Sequence, residues 1–193
     1  MEEKEIEIEV HPFEPYIPDG ARVLIMGTFP PQPKRWSMEF YYPNRTNDFW
    51  YVMGLIFYND RTALLQPGSK DFDLTKIKSL LDSRGIALSD TGHRIRRLAG
   101  NASDKFLKIL EPVNLQGLLA RMPYCRAIAT TGEKAAGVLA ELTGTEAPKM
   151  GAMTESPTGI HLWRMPSTSR AYPLKLEKKA EYYRRLFEDA GVL

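Results

Sequence analysis

The stretch VLIMGTFPPQPKRWSMEFYYPNRTNDFW, Val23 to Trp50, decides the architecture of this chain. Val23–Gly27 is an unbroken apolar run ended by glycine, the pattern of a strand buried on both faces of a parallel sheet. GTFPP closes it with a stiff turn. A helix is predicted over Asp48–Tyr58, with Thr46 or Asn47 as N-cap. Between strand and helix lies a polar, aromatic loop that holds Tyr41, Tyr42, Asn44, Arg45 and Asn47. Phe49 and Trp50 open an amphipathic helix and read as core. Tyr41 and Tyr42 precede it and lack that explanation.

The same strand-then-helix grammar repeats outward from this stretch. LTKIKSLLDSRG predicts a short helix closed by Gly85, followed by a buried strand over Gly85–Leu88 and the turn SDTGH. Leu115, Leu118, Leu119 and Met122 mark one face of a helix that Pro123 ends. A third strand, Ala127–Thr131, meets Gly132 and a helix over Glu133–Leu142. After a Thr/Gly/Pro loop over residues 143–158, a fourth strand, Ile160–Arg164, runs into MPSTSRAYP. A final helix spans Leu174–Ala190, with Leu176, Ala180, Tyr183 and Phe187 on one face and Lys/Arg on the other. Alternating strands and helices predict an open α/β fold whose parallel sheet is covered on both faces. In such sheets ligands bind beyond the carboxyl ends of the strands. Those ends carry GTFPP, SDTGH, TTGEK and MPSTSR, so these loops are expected to share one site.

Composition narrows the function classes. The chain has 193 residues, 43% hydrophobic and 26% charged, which suits one domain with a real core. Residues 1–20 read as an N-terminal extended arm, an alternating acidic segment followed by the proline-rich HPFEPYIPDG; residues 21–193 read as a single domain. No apolar run approaches the roughly 20 residues that span a bilayer, and the acidic N-terminus is unlike a signal peptide. The expected location is cytoplasmic. Net charge is only +2, but basic residues cluster at Lys34/Arg35, His93–Arg97, Arg164/Arg170 and Lys175–Arg185. Such clusters suit a nucleic-acid face or solvated helices. The single cysteine, Cys125, excludes an intramolecular disulfide, a thiolate zinc site and a cysteine-ligated cluster. His11, His93 and His161 show no metal spacing. No metal or cofactor is expected.

Common catalytic signatures are missing: there is no G-x-S-x-G, P-loop, G-x-G-x-x-G or H-E-x-x-H. Ser167, His93 and Asp90 are available for a triad, but no spacing singles them out. MPSTS places three hydroxyl residues after a strand-end proline, where they either hold a phosphate or cap turns. Rings beside Arg and Asn suit a planar ligand, because stacking on a base contributes about 1–3 kcal/mol and amides read its edge.

Taken in order, these motifs resemble the uracil-DNA glycosylase superfamily. GTFPP is similar to its G-x-x-P loop after the first strand, and MPSTS to its [H/N/L]-P-S loop after the last. FYYPNRTNDFW resembles the YYAHPRNxFW segment of the hypoxanthine (deoxyinosine) DNA glycosylase branch, and the related HPxNRFW of the mismatch-specific branch. MPSTSRAY is close to the former's LPSTSPAN. The resemblance covers roughly Val23 to Ala190. It implies a three-layer α/β/α sandwich around a central four-stranded parallel sheet, a monomer, and damaged DNA as partner.

Residue by residue, the resemblance implies the following. The position that often holds a water-activating Asp or Asn is here Phe29, so the water falls to Asn47 of the N-x-F-W segment. Tyr42 stacks on the extruded base. Gly27, Thr28, Phe29, Pro30 and Thr131 cradle it, and Asp90 reads its edge where many members have Asn. Ser167, Thr168 and Ser169 grip the flanking phosphates, and Arg170 is the wedge. Met165 replaces the His or Asn that usually opens the last loop. The implied activity is hydrolysis of the N-glycosidic bond of a damaged or deaminated base, of the uracil or hypoxanthine class. Beside it stand a catalytically silent DNA- or nucleotide-binding module and a nucleoside hydrolase. Asn47 has a plainer reading as the cap of the helix that follows.

Overall fold

Every residue of Val23–Gly27 is buried, as a central strand with both faces covered must be. The computed structural model describes residues 6–99 and 103–193. In chain order the elements are β1 (Ile8–Val10), β2 (Val23–Gly27), α1 (Phe49–Tyr58), α2 (Leu74–Arg84), β3 (Ile86–Asp90), β4 (Gly92–Arg97) and β5 (Leu107–Pro112). Then follow α3 (Leu115–Ala120), β6 (Ala127–Thr131), α4 (Glu133–Thr143), β7 (Met153–Glu155), β8 (His161–Met165) and α5 (Leu176–Asp189). Local chemistry sets several boundaries. The Asp73 carboxylate accepts from Lys76 N at the start of α2, and Gly85 ends that helix in the left-handed region at φ 68°.

The main sheet has the order β3-β2-β6-β8-β7. Its first four strands run parallel, and β7 pairs antiparallel with β8. The sheet is therefore five-stranded and mixed, which corrects the expectation of four parallel strands. The added edge strand is three residues long, and Met153 and Glu155 are exposed. Such a short polar edge carries no apolar run for a sequence reading to detect.

Side-chain alternation splits the core in two. Val23, Ile25, Leu88 and Ala129 face a cluster built with α1, α2 and α5. Leu24, Met26, Ala87 and Ile128 face a second cluster with α3 and α4. Helices thus cover both faces, as the alternation of elements predicts. Phe49 and Trp50 are fully buried in the first cluster, in line with their reading as core.

A second, three-stranded antiparallel sheet, β1-β4-β5, caps the main sheet's carboxyl end. Its β4 is the basic run GHRIRR, whose sequence pattern predicts no strand. Ile95, fully buried, is the one aliphatic side chain of that strand. The first five residues of the arm lie outside the described residues. From Ile8 onward the arm packs on the sheet: β1 pairs with β4, and Tyr16 exchanges two backbone hydrogen bonds with Leu88, each of 2.9 Å. Among the described residues no helix is long and apolar enough to cross a membrane.

Candidate active site

A cleft of about 990 Å³ opens where the parallel strands end. The loop after β2 supplies Gly27, Thr28, Phe29 and Pro30, and the segment before α1 supplies Tyr42 and Asn47. Asp90 comes from β3, Thr131 from β6, and Ser167, Thr168 and Ser169 from the loop after β8. Eleven of the twelve site residues expected from sequence therefore line one cavity. Arg170 is the exception. Its Nε donates to Asp48 Oδ1 (3.2 Å), a terminal nitrogen donates to the Arg45 carbonyl (3.3 Å), and its guanidinium lies 5.6 Å from the Tyr51 ring centre.

The floor is built around Gly27. A Cβ there would sit 2.9 Å from Asp90 Oδ1 and 3.4 Å from both Thr131 Oγ1 and Tyr42 Oη, so only glycine lets these groups converge. Tyr42 has a left-handed backbone, φ 53°, and one face of its ring stacks on Phe49 at a centroid distance of 3.9 Å. Its hydroxyl is within 3.4 Å of Thr131 Oγ1. Burial first, and then the Asp90 charge, push the Tyr42 phenol well above the ordinary tyrosine range, so it remains a hydrogen-bond donor.

Asp90 is paired with His11, one of the three histidines that show no metal spacing. His11 Nε2 lies 2.7 Å from Asp90 Oδ2, and both side chains are nearly enclosed. His11 Nδ1 lies 2.9 Å from the Phe13 carbonyl oxygen and 3.1 Å from the Phe13 amide nitrogen, contacts that hold the ring with Nε2 against Asp90. The His11 ring packs edge-on to Phe29 and stacks on Tyr41. Arg97 braces the same wall. It grips Glu9 with two hydrogen bonds (2.8 and 3.1 Å) and donates to the Pro30 carbonyl (2.7 Å). Nothing local in sequence announces these contacts, because they join positions far apart in the chain.

A second carboxylate lies beside the first. Thr28 Oγ1 donates to Asp104 Oδ2 (2.9 Å). Burial is the largest influence on the Asp104 carboxyl and the Asp90 charge adds to it; together they outweigh the Thr28 hydrogen bond and push it above the usual carboxylate range. Lys134, near the start of α4, donates to the carbonyls of Asp104 and Leu107. Asp104 and Lys134 both line the cleft.

The opposite wall is fixed by a charge network. Asn47 Oδ1 accepts from Phe49 N (2.9 Å), a turn contact just ahead of α1; the N-cap itself is Asp48, which corrects the expectation of Thr46 or Asn47, and the Asp48 side chain makes no cap bond. Asp48 N donates to the Thr168 carbonyl (2.8 Å), tying this segment to the last loop. Asp48 Oδ2 is 3.1 Å from Lys179 Nζ, which also donates to the Ser169 carbonyl (2.9 Å). Lys179 is completely buried, although it had been placed on the polar face of α5. It stands three residues after Leu176 and four before Tyr183, within the buried stripe, and that spacing was the available signal. In the last loop, Ser167 Oγ accepts from Ser169 N (3.2 Å) and Ser169 Oγ from Ala171 N (3.3 Å). These turn contacts leave further lone pairs on both hydroxyls. Met165, at the end of β8, is fully buried.

No family model matches the chain, and no curated protein sequence matches it. Among solved structures, it is similar to the solution NMR structure of a protein described as a putative uracil DNA glycosylase from Methanosarcina acetivorans, with a TM-score of 0.67 and 23% identity. The match covers 94% of this chain and 99% of that one. The two chains share a fold.

Proposed function

We propose that this protein is a monofunctional DNA glycosylase. It draws a damaged or deaminated base into the cleft and hydrolyses the N-glycosidic bond, uracil and hypoxanthine being the classes that the sequence resemblance implies. The observation that carries this reading is the meeting of Asn47, Tyr42, the Gly27–Pro30 loop and the Ser167–Ser169 loop in one cavity at the strand ends. The shared fold supports it.

The reaction breaks the bond between the sugar C1′ and the base nitrogen, and the electron pair leaves with the base. A water oxygen adds to C1′. An enzyme contributes by extruding the nucleotide, by placing the water and by meeting developing charge with fixed dipoles. Asn47 is suited to the water. Its Oδ1 is held by the Phe49 amide and keeps a second lone pair that can accept from a water. Tyr42, with one face already on Phe49, offers the other to a base. Ser167 and Ser169 meet flanking phosphates, and Arg170 stands behind them. The partner is DNA containing a damaged base.

The test is an incision panel: DNA carrying a single uracil, hypoxanthine or xanthine, followed by alkaline cleavage of abasic sites. Wild type should cut at least one lesion and Asn47→Ala should cut it much more slowly; equal rates would remove Asn47 from the chemistry. A second reading, a catalytically silent DNA-binding module, draws on the apolar Phe29 and Met165 at positions where related chemistry uses polar side chains. Salt-sensitive binding of damaged DNA without cutting would favour it.

A further inference from the structure

We infer that the base this cleft accepts is a cationic, N-alkylated one rather than a carbonyl-rich neutral base. The inference rests on the glycosylase reading for the chemistry but not for the recognition. Its basis is the acidic floor. Asp90 is more than nine-tenths buried, and its Oδ2 is occupied by His11. Among the described residues nothing donates to its Oδ1, which projects over Gly27 beside Tyr42 and Thr131. That oxygen opens onto the cleft with lone pairs that a ligand can answer. It can only accept, so it repels carbonyl oxygens, the O6 of 7-methylguanine as well as the O4 of uracil and the O6 of hypoxanthine, and the alkylated ring alone offsets this with its positive charge. The carboxylate welcomes an amine, a ring N–H or a positive ring.

Asp104, which accepts from Thr28 beside Gly27 and lines the same cleft, adds a second carboxyl group to this floor. Two cations lie beside this floor, each hydrogen-bonded to other groups. Lys134 is held by two backbone carbonyls and Arg97 by Glu9 and Pro30. Arg35, Lys105 and Arg164 also line the cleft, where DNA phosphates would engage them. Arg97 already lies over the Phe29 ring at 5.7 Å, so the aromatic face left for a cation is that of Tyr42, and such a face attracts a cation by about 0.5–2 kcal/mol.

The chemistry agrees with the recognition. In an alkylated purine the ring already bears a positive charge. When the C1′–N bond breaks, its electron pair moves onto the ring and cancels that charge, so the base departs neutral. The water oxygen bonds to C1′ and releases one proton to bulk water. No developing anion needs a partner, and the apolar Phe29 and Met165 supply none. A departing uracil would instead carry negative charge against the Asp90 carboxylate.

Two measurements decide the matter. First, release of 7-methylguanine and 3-methyladenine from dimethyl-sulfate-treated duplex DNA is compared with release of uracil and hypoxanthine from matched duplexes. Second, equilibrium dialysis at mildly acid pH compares 7-methylguanosine with inosine and uridine, which requires no cleavage. The wild type should favour the methylated partner at least tenfold in both, and Asp90→Asn should shrink that preference by about tenfold, the worth of one charged hydrogen bond. Cleavage of uracil or hypoxanthine without a methyl preference would overturn the inference and leave the glycosylase reading standing. Preferential 7-methylguanosine binding with no base released would do the reverse. The wild-type comparisons stand even where Asp90→Asn fails to fold. Equal binding of all three nucleosides would overturn the inference outright.

Discussion

Two buried aspartates, Asp48 and Asp90, sit on opposite walls of the cleft and are used in opposite ways. Asp48 has both oxygens committed, Oδ1 to Arg170 and Oδ2 to Lys179. Asp90 has one oxygen committed, to His11, and the other faces the cavity floor. The first is a structural anion, its charge answered on both sides. The second is half answered, which is what a ligand-binding group requires. Burial alone did not distinguish them; the count of donors did.

The largest expected effect breaks the Asp48 side. Lys179→Met leaves a buried carboxylate facing only the half-exposed Arg170 and should cost about 3 kcal/mol in denaturant unfolding. The double variant with Asp48→Asn should recover much of it. A loss below about 1 kcal/mol would mean the pair does not hold this wall.

The Asp90 side should yield more gently. His11→Ala removes a single donor from a carboxylate that keeps access to the cleft, so about 1–2 kcal/mol is expected. His11→Gln, whose amide also donates, should restore part of that. If His11→Ala costs as much as Lys179→Met, the two aspartates are not different in kind.

Asn47 lies next to Asp48 but points the comparison toward function. Asn47→Ala loses the bond to Phe49 N, worth about 1 kcal/mol by urea titration. Its effect on base release should be about 10²-fold, out of proportion to that structural loss.

The smallest effect is a pH dependence. Asp104 is pushed above its unfolded value by burial and by Asp90, so the native state holds its proton more tightly than the unfolded chain does. Native stability therefore falls as pH rises from the ordinary carboxylate value through the raised one. Asp104→Asn, which still accepts from Thr28, should gain stability relative to wild type as pH rises above the ordinary carboxylate value. A gain in the opposite direction would show the carboxylate to be favoured in the native state.

The site was legible where it coincided with strand ends. Gly27–Pro30, Asp90, Thr131 and Ser167–Ser169 end buried strands whose apolar runs could be counted, and Tyr42 and Asn47 precede a recognisable helix. His11 and Asp104 were not legible. Their roles depend on pairings across 79 and 76 residues, to Asp90 and Thr28. The β4 strand was missed because alternation fails when the outward positions are arginines and only Ile95 marks the inward face.

By itself the sequence determined the parallel α/β core, because hydrophobic periodicity is a local property that each strand and helix declares independently. It also placed the four loops at one end, since right-handed crossovers leave little choice. Only the tertiary structure decided the charges: which aspartate is spent on Lys179, which keeps a free oxygen, and that an N-terminal histidine closes the site. Those outcomes depend on distances between side chains remote in the chain, and electrostatic energy depends on distance and burial rather than on order in sequence.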